Sequence, residues 1–474
     1  MPALTLSHWL SLHGLFAVAG LLVYAVASHV LQQRRHPSAA IGWVLFMLLL
    51  PYAALPLYLL FGTRKLPRTG RSSPAARAAR PIDDEGAWPA QVAAALGQPR
   101  PTTYRAFCIH ADGSESLRAL LGVIDGAQRT LELCTFILGR DAVGAAVSAH
   151  LAARARAGVR VRLLLDGVGR MLGGWPDLSA LKHAGVRVGL FVPPLHSPLK
   201  GRTNLRNHRK LVVADAGHAA ERLWCGGRNL AAEYFEEQPG RSVWRDLSFD
   251  LQGPLARQAA DLFQRDWVFA VGAESPTPGA SAAEANAEAA PVAAPGEPAG
   301  QVIASGPDQA DDTVQALLVS AAYRAHTRMT LVSPYVVLDD ALLMALALAA
   351  RRGVQVELLL PERSNHRLSD IARHRSLRAL AGAGVHVWLA PHMLHAKLAI
   401  VDDALALAGT TNLDGRSLFL NYELMVAFHD AGDIARYVAW FDLERRTARP
   451  YVAQPPGLMR DLGEGLVLWI GFQL

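Results

Sequence analysis

The sequence predicts an α/β protein in which one unit occurs twice behind an apolar N-terminal hairpin. Three observations predict it: an internal duplication, an alternation of helical and strand patterns within each copy, and two long uncharged segments at the start of the chain. The duplication is visible without any second sequence. Gly158-Val-Arg-Val-Arg-Leu-Leu-Leu165 is answered by Gly353-Val-Gln-Val-Glu-Leu-Leu-Leu360, and Leu181-Lys-His-Ala-Gly185-Val-Arg-Val by Leu380-Ala-Gly-Ala-Gly384-Val-His-Val. Matching positions lie 195, 199 and 187 residues apart (158 to 353, 185 to 384, 208 to 395), an offset steady enough for two copies of one fold. In each copy an Ala/Leu/Arg-rich stretch ends at glycine and runs into a short Val/Leu strand pattern, the order that packs helices on the faces of a sheet.

Trp9 to Leu31 and Ala39 to Phe61 each hold 23 residues without Asp, Glu, Lys or Arg, enough to cross a bilayer core. Ala25-Val26-Ala27 is like a signal-peptidase site, but residues 1–8 carry no basic residue and a second span follows directly, so a retained hairpin is expected. Pro51 and Pro56 allow the second span to be kinked or re-entrant. Arg34 and Arg35 lie between the spans, whereas Arg64, Lys65, Arg68, Arg71, Arg77 and Arg80 follow the second. The larger basic cluster predicts both termini on the cytoplasmic side. The expected organisation is therefore a membrane hairpin over 1–63, a basic linker over 64–100, a first unit over 101–271, a disordered Ala/Pro linker over 272–300 and a second unit over 301–474.

The 474 residues, 51% hydrophobic, suffice for two domains with a sizeable core. Three cysteines (Cys108, Cys134, Cys225) are too few for a disulfide framework and suit reduced, buried thiols. A net charge of +6 favours acidic partners, and charge alone does not separate anionic lipid from nucleic acid.

The chemistry concentrates in two echoing stretches. Asn207-His208-Arg209-Lys210 runs on to Asp215, and Leu394-His395-Ala396-Lys397 runs on to Asp402; both read His-x-Lys-x4-Asp. With 17 histidines and only five lysines among 47 basic residues, about 0.2 His-x-Lys pairs are expected by chance. Two occur. A chain that otherwise uses arginine has kept a compact, flexible ammonium here. If 208–215 is a strand, its alternation puts His208 and Lys210 on one face and Asp215 on the other, and the same parity holds for His395, Lys397 and Asp402. The aspartates are thus expected to anchor a turn. Each motif is followed by a glycine-asparagine tip, Gly226-Gly227-Arg228-Asn229 and Gly409-Thr410-Thr411-Asn412. No Cys/His/carboxylate cluster has metal-ligand spacing, so neither a metal nor another cofactor is expected.

These paired motifs resemble the phospholipase D superfamily. Asn412-Leu-Asp-Gly-Arg-Ser-Leu-Phe-Leu-Asn-Tyr-Glu423, Trp244-Arg245-Asp246, Gly226-Gly227-x-Asn229-x4-Tyr234 and the leader from Arg34-Arg35-His36-Pro37 to Phe61-Gly62 are similar to bacterial cardiolipin synthases. Gly226-Gly227 departs from the superfamily's general pattern by lacking a hydroxyl, which Thr410 keeps in the second copy. The gap from Asp215 to Gly226 is four residues longer than its counterpart, as a hairpin loop over His218–Arg222 would make it.

The resemblance implies two tandem phospholipase D-like α/β-sandwich domains related by a pseudo-two-fold axis, after two transmembrane helices. It also implies phosphatidyl transfer between two phosphatidylglycerols, through a covalent phospho-histidine, at the bacterial cytoplasmic membrane. The expected catalytic set is His208, Lys210, Asp215, His395, Lys397 and Asp402. Asn229, Asn412, Gly227 and Thr410 are expected around the phosphate, and Asp246 and Glu423 behind the histidines. By resemblance His208 is the nucleophile; sequence symmetry alone gives no preference. Expected partners are phosphatidylglycerol, other anionic phospholipids and the membrane, and not nucleic acid, because the hairpin ties the chain to lipid and no aromatic-basic groove pattern appears. A phospholipase D-type hydrolase, a transferase using phosphatidylethanolamine, and an inactive lipid-binding scaffold are the competing readings.

Overall fold

A computed structural model describes residues 6–30, 37–62, 88–193, 204–240, 242–272, 293 and 296–470. The first copy contributes β1 (Thr102–Thr103), β2 (Arg105–Ile109), β3 (Thr130–Thr135), β4 (Arg160–Asp166), β5 (Arg187–Phe191), β6 (Leu211–Ala214), β7 (Arg222–Gly226) and β8 (Ser248–Gln252). The second contributes β9 (Ala299–Ser305), β10 (Arg328–Val332), β11 (Gln355–Pro361), β12 (His386–Ala390), β13 (Leu398–Val401), β14 (Leu405–Gly409), β15 (Glu423–Phe428) and β16 (Arg449–Pro450).

Two sheets result. One runs β2-β8-β7-β6-β3-β4-β5; the other runs β1-β9-β15-β14-β13-β10-β11-β12-β16. With edge strands β1 and β16 set aside, the orders superpose one for one, which is the duplication in three dimensions. In both, three parallel strands (β3, β4, β5 and β10, β11, β12) adjoin an antiparallel run. Gly158 and Gly353, which end long helices, share a left-handed φ of 91° and 94°, a conformation that disfavours a Cβ.

The sheets share a core. Phe191 and Phe249 from the first copy and Tyr422, Phe428 and Tyr437 from the second lie in one buried cluster. Burial of each such side chain contributes roughly 1.5–3 kcal/mol, so the halves stabilise one another. The helix Trp88–Ala95 belongs to this body too: its buried Trp88 and Ala93 pack with Val314, Leu317 and Leu318 of the second copy. The 64–100 tract expected as linker is therefore partly structured, because a short helix gains from a tertiary apolar contact that its composition does not advertise. Residues 63–87, with their basic cluster, and Arg34 and Arg35 lie outside the described residues, as do 273–292 of the expected Ala/Pro linker.

At the N-terminus, Leu6–Val30 is one helix, and its Trp9–Val26 stretch is long and apolar enough to cross a membrane. The second expected span is two shorter helices, Pro37–Leu49 and Pro51–Phe61. The break falls at Leu50, φ −137° and ψ 59°, directly before a proline that has no N–H to give. All three helices pack together around Met47, Ala54 and Tyr58.

Candidate functional site

Each His-x-Lys motif leads into a strand and does not lie in it. β6 begins at Leu211 and β13 at Leu398, so His208, Lys210, His395 and Lys397 occupy extended lead-ins. Those lead-ins pair with the opposite copy. His208 N donates to Tyr422 O at 2.9 Å and Tyr422 N to Arg206 O at 2.9 Å, while Arg245 N donates to Met393 O at 2.9 Å and His395 N to Arg245 O at 2.6 Å.

This exchange crosses the two carboxylates. His208 Nδ1 lies 3.0 Å from the carboxylate of Glu423, and His395 Nδ1 lies 2.7 Å from Asp246 Oδ2. The acid after each glycine-asparagine tip thus holds the histidine of the other copy. Nδ1–H donating to a carboxylate fixes the tautomer and leaves Nε2 as the ring's acceptor nitrogen. Glu423 is itself fixed by Thr410 Oγ1 at 2.6 Å and Asn421 Nδ2 at 3.2 Å. Lys210 Nζ donates to the His208 carbonyl at 2.7 Å, and Lys397 Nζ lies 3.1 Å from His395 Nε2.

Of the residues expected around a phosphate, Asn229 and Asn412 each donate one amide hydrogen, to Tyr234 Oη at 2.7 Å and to Ser417 Oγ at 3.1 Å, and Asn229 Oδ1 accepts from Ile137 N–H at 3.3 Å. Gly227 and Thr410 are placed otherwise than as direct anion ligands. The Gly227 N–H goes to Leu247 O and the Thr410 N–H to Leu424 O. A Cβ on Gly227 would meet Asp246 Oδ1 at 2.3 Å, so this glycine makes room for the carboxylate behind His395. Thr410 turns its hydroxyl to Glu423.

Asp215 and Asp402 lie at the far ends of β6 and β13. Asp215 accepts from the backbone N–H groups of Gln128, Arg129 and Thr130 at 2.6–2.9 Å, and Asp402 from those of His326, Thr327 and Arg328 at 2.8–2.9 Å. Both have a left-handed φ, 50° and 48°. They tie down the turns that open β3 and β10. Asp215→Ala orphans three N–H groups and is expected to lower unfolding stability by roughly 2–4 kcal/mol. Turnover per folded molecule should stay within about threefold of wild type, so a chemical role for Asp215 would show as lost kcat at unchanged denaturation midpoint.

Three neighbours escaped the sequence reading. The Phe136 ring sits 5.3 Å from that of His208, and the Tyr335 ring 6.3 Å from that of His395, both in the segments that follow β3 and β10. Arg209, the residue between His208 and Lys210, is fully buried: it pairs with Asp266 and donates to Glu423 O at 3.0 Å and Ser305 O at 3.1 Å. It stitches the copies together. The one signal for it was a charge facing away from a motif otherwise read by its alternate residues.

Burial, opposed by Glu423, pulls the His208 imidazole below its usual 6.5. Burial and the adjacent Lys397 charge take His395 to about 3. Both rings are therefore neutral at pH 7, a shift from the near-neutral value that an unperturbed histidine would have. Burial also lowers Lys210 to about 8 and Lys397 to about 7. Asp246 and Glu423 sit below their ordinary values: burial pushes them up, but the neighbouring histidine and lysine of each, His395 and Lys397 or His208 and Lys210, outweigh it. The arrangement brings two neutral imidazoles and two weakly protonated lysines within electrostatic reach of one another. Among the described residues no group of His, Cys, Asp and Glu is placed to hold a metal.

The model of the family described as "Cardiolipin synthase, PLD-like domain" matches residues 120–267 and 318–444, one match in each copy. The chain belongs to the cardiolipin synthase family of phospholipase D-like proteins. A second family, "Phospholipase_D-nuclease N-terminal", matches residues 20–62. Cardiolipin synthase A of Pseudomonas aeruginosa (strain LESB58) is 32% identical over 433 residues, 87% of this chain and 85% of that protein. Cardiolipin synthase of Geobacillus kaustophilus is 28% identical, covering 95% and 93%. Among solved structures, phosphatidylserine synthase of Haemophilus influenzae Rd KW20 matches with a TM-score of 0.59 at 13% identity, over 82% of this chain and all of that one, a likeness of fold.

Proposed function

We propose that the protein is a membrane-bound phosphatidyltransferase that makes cardiolipin and glycerol from two phosphatidylglycerols. The single observation that carries the mechanism is the crossed pair of histidine–carboxylate bonds, which leaves Nε2 as the unprotonated nitrogen of each ring. In the first step His208 Nε2 bonds to the donor's phosphorus, and the bond from phosphorus to the glycerol oxygen breaks. The glycerol oxygen takes a proton from His395 Nε2. In the second, a hydroxyl of the acceptor phosphatidylglycerol gives its proton back to His395 and bonds to phosphorus as the His208–phosphorus bond breaks. Lys210, Lys397 and the free amide hydrogens of Asn229 and Asn412 oppose the charge on the five-coordinate phosphorus.

His395 must be protonated to act first as an acid, although burial and Lys397 keep it neutral. The incoming phosphodiester supplies a negative charge that favours the imidazolium. The membrane helix supports the lipid substrate, because it concentrates acceptor alcohol at the site relative to a dilute headgroup in solution. The chain crosses the membrane with its catalytic body on the cytoplasmic side, the side favoured by its basic flank.

The test is full-length protein in detergent with labelled phosphatidylglycerol and excess chelator. Cardiolipin plus free glycerol is expected; phosphatidic acid as the sole product would make it a hydrolase, and no turnover would end both readings. The pH dependence of kcat, read with the phosphodiester bound and His395 protonated, adds a second check. His208 must be neutral to attack, so activity falls as pH drops through a value below 6.5. Lys397 and Lys210 must be charged, so it falls again as pH rises past about 7 and about 8, the values they have before the phosphodiester binds. A profile still flat at pH 9 would contradict the assigned role of the lysines.

A further inference from the structure

The C-terminal helix Leu458–Ile470 is amphipathic in the reverse of the usual sense for a surface helix. Its acidic side faces the protein. Asp461 pairs with Arg375 at 3.0 Å, and Glu464, buried, pairs with Arg378 at 2.6 Å and with Arg460 at 2.9 Å. Arg375 and Arg378 lie on the neighbouring helix Arg367–Gly382, and Gly465 allows the close approach: a Cβ there would stand 3.1 Å from Arg375 Nη2. At 100° per residue, Met459 and Leu462 then point away from the Asp461–Glu464 side and are 81% and 59% exposed, and Leu458, at the helix start, is 76% exposed. Ion pairs hold this face outward, where water would disfavour it.

The apolar surface continues toward the site. Leu368 and Ile371 are exposed on the first turns of Arg367–Gly382, a helix that starts beside His366. The His366 ring lies 5.0 Å from that of Tyr335, the neighbour of His395. The first copy repeats the arrangement. Met171, Leu172 and Trp175 are exposed at and after the helix Gly167–Leu172, whose Gly169 packs on the Phe136 carbonyl, and the Phe136 ring neighbours His208. Arg170 lies over the Trp175 ring at 5.3 Å, a pairing suited to a headgroup boundary. Beside the C-terminal helix runs a cleft whose lining includes Arg363, Arg373, His374, Arg449 and Arg460 against the acids Glu362 and Asp370. The exposed Arg363 borders the apolar face as a cation, as a surface opposed to anionic lipid requires, while Arg373, Arg449 and Arg460 are paired with Asp370, Glu362 and Glu464.

We propose that this rim is a second membrane contact, in which the C-terminal helix lies in the headgroup region of an anionic bilayer and sets the site's mouth against it. The proposal rests on the reading of the site as one that takes phospholipid. Its occupant is the lipid surface, because the same chain already carries a bilayer-length helix and because the face combines apolar side chains with a basic border.

The experiment uses the full chain in a Cys108→Ser background, reconstituted into phosphatidylglycerol-containing vesicles, with an environment-sensitive fluorophore at Met459→Cys or Leu462→Cys. Asp403→Cys is the reference, since Asp403, with a side chain 83% exposed, follows β13 at the end away from His395. Quenching by lipids spin-labelled on the acyl chain is expected to be at least about fivefold stronger at 459 and 462 than at 403. Equal quenching overturns the proposal, as does a blue-shifted probe that lipid quenchers do not reach, which would mean that another protein copy covers the face. In parallel, the Met459→Asp/Leu462→Asp variant should raise KM on vesicles about tenfold while leaving kcat on detergent-dispersed lipid unchanged. An unchanged KM, or equal losses in both assays, also overturns it. The probe needs no turnover, so it reads docking even if phosphatidylglycerol proves not to be the substrate; normal turnover with a water-exposed probe would sink the docking alone.

Discussion

Replacing His208 with alanine is expected to lower phosphatidylglycerol turnover by about 10⁴-fold or more, because no other described group presents a neutral nitrogen backed by Glu423. His395→Ala should be nearly as damaging with this substrate, since the departing glycerol oxygen then has no proton donor. A nitrophenyl phosphodiester separates the two roles, because nitrophenolate leaves without a proton. His395→Ala is expected to release a burst of about one nitrophenolate per active site and to accumulate a phosphoenzyme. His208→Ala should release none. The reverse pattern would make His395 the nucleophile.

The crossed carboxylates carry the second large effect. Glu423→Gln and Asp246→Asn keep the size of the side chain but no longer stabilise an imidazolium or reliably select the Nδ1–H tautomer. Each is expected to reduce kcat by about 10²–10⁴-fold. The substrate with the good leaving group again discriminates. Because Asp246 supports His395, the general acid, Asp246→Asn should recover much of its first-step rate with the nitrophenyl substrate. Glu423→Gln, which weakens the nucleophile, should not. Pairing within each copy would predict the opposite recovery, so this measurement tests the crossing as well as the importance of the acids. Gly227→Ala should resemble Asp246→Asn, since the added methyl falls on the Asp246 carboxylate.

Much of this site is legible because its chemistry is written in short, rare strings. Two His-x-Lys pairs in a lysine-poor chain mark the reacting groups, and parity separates the aspartates from them. The aspartates do serve turns, although the strands begin only after the lysines, at Leu211 and Leu398. The prolines of the second apolar segment foretell its break at Leu50. Other features leave no local trace. Trp88–Ala95 has the composition of the tract around it, and only its seat on the second copy makes it a helix. Phe136 and Tyr335 follow strands as many core residues do, and their chemical neighbours are set by the fold.

By itself the amino-acid sequence determined that one α/β unit occurs twice, that an apolar segment precedes it, and which side chains the two copies would contribute. Local periodicity and repeated strings suffice for that. Only the tertiary structure decided that Glu423 backs His208 across 215 residues and that Asp246 backs His395 across 149. It likewise decided that Arg209 joins the copies and that both imidazoles are held neutral. Those outcomes depend on how two sheets pack and exclude water, and hydrogen bonding and desolvation act between groups brought together in space, whatever their separation along the chain.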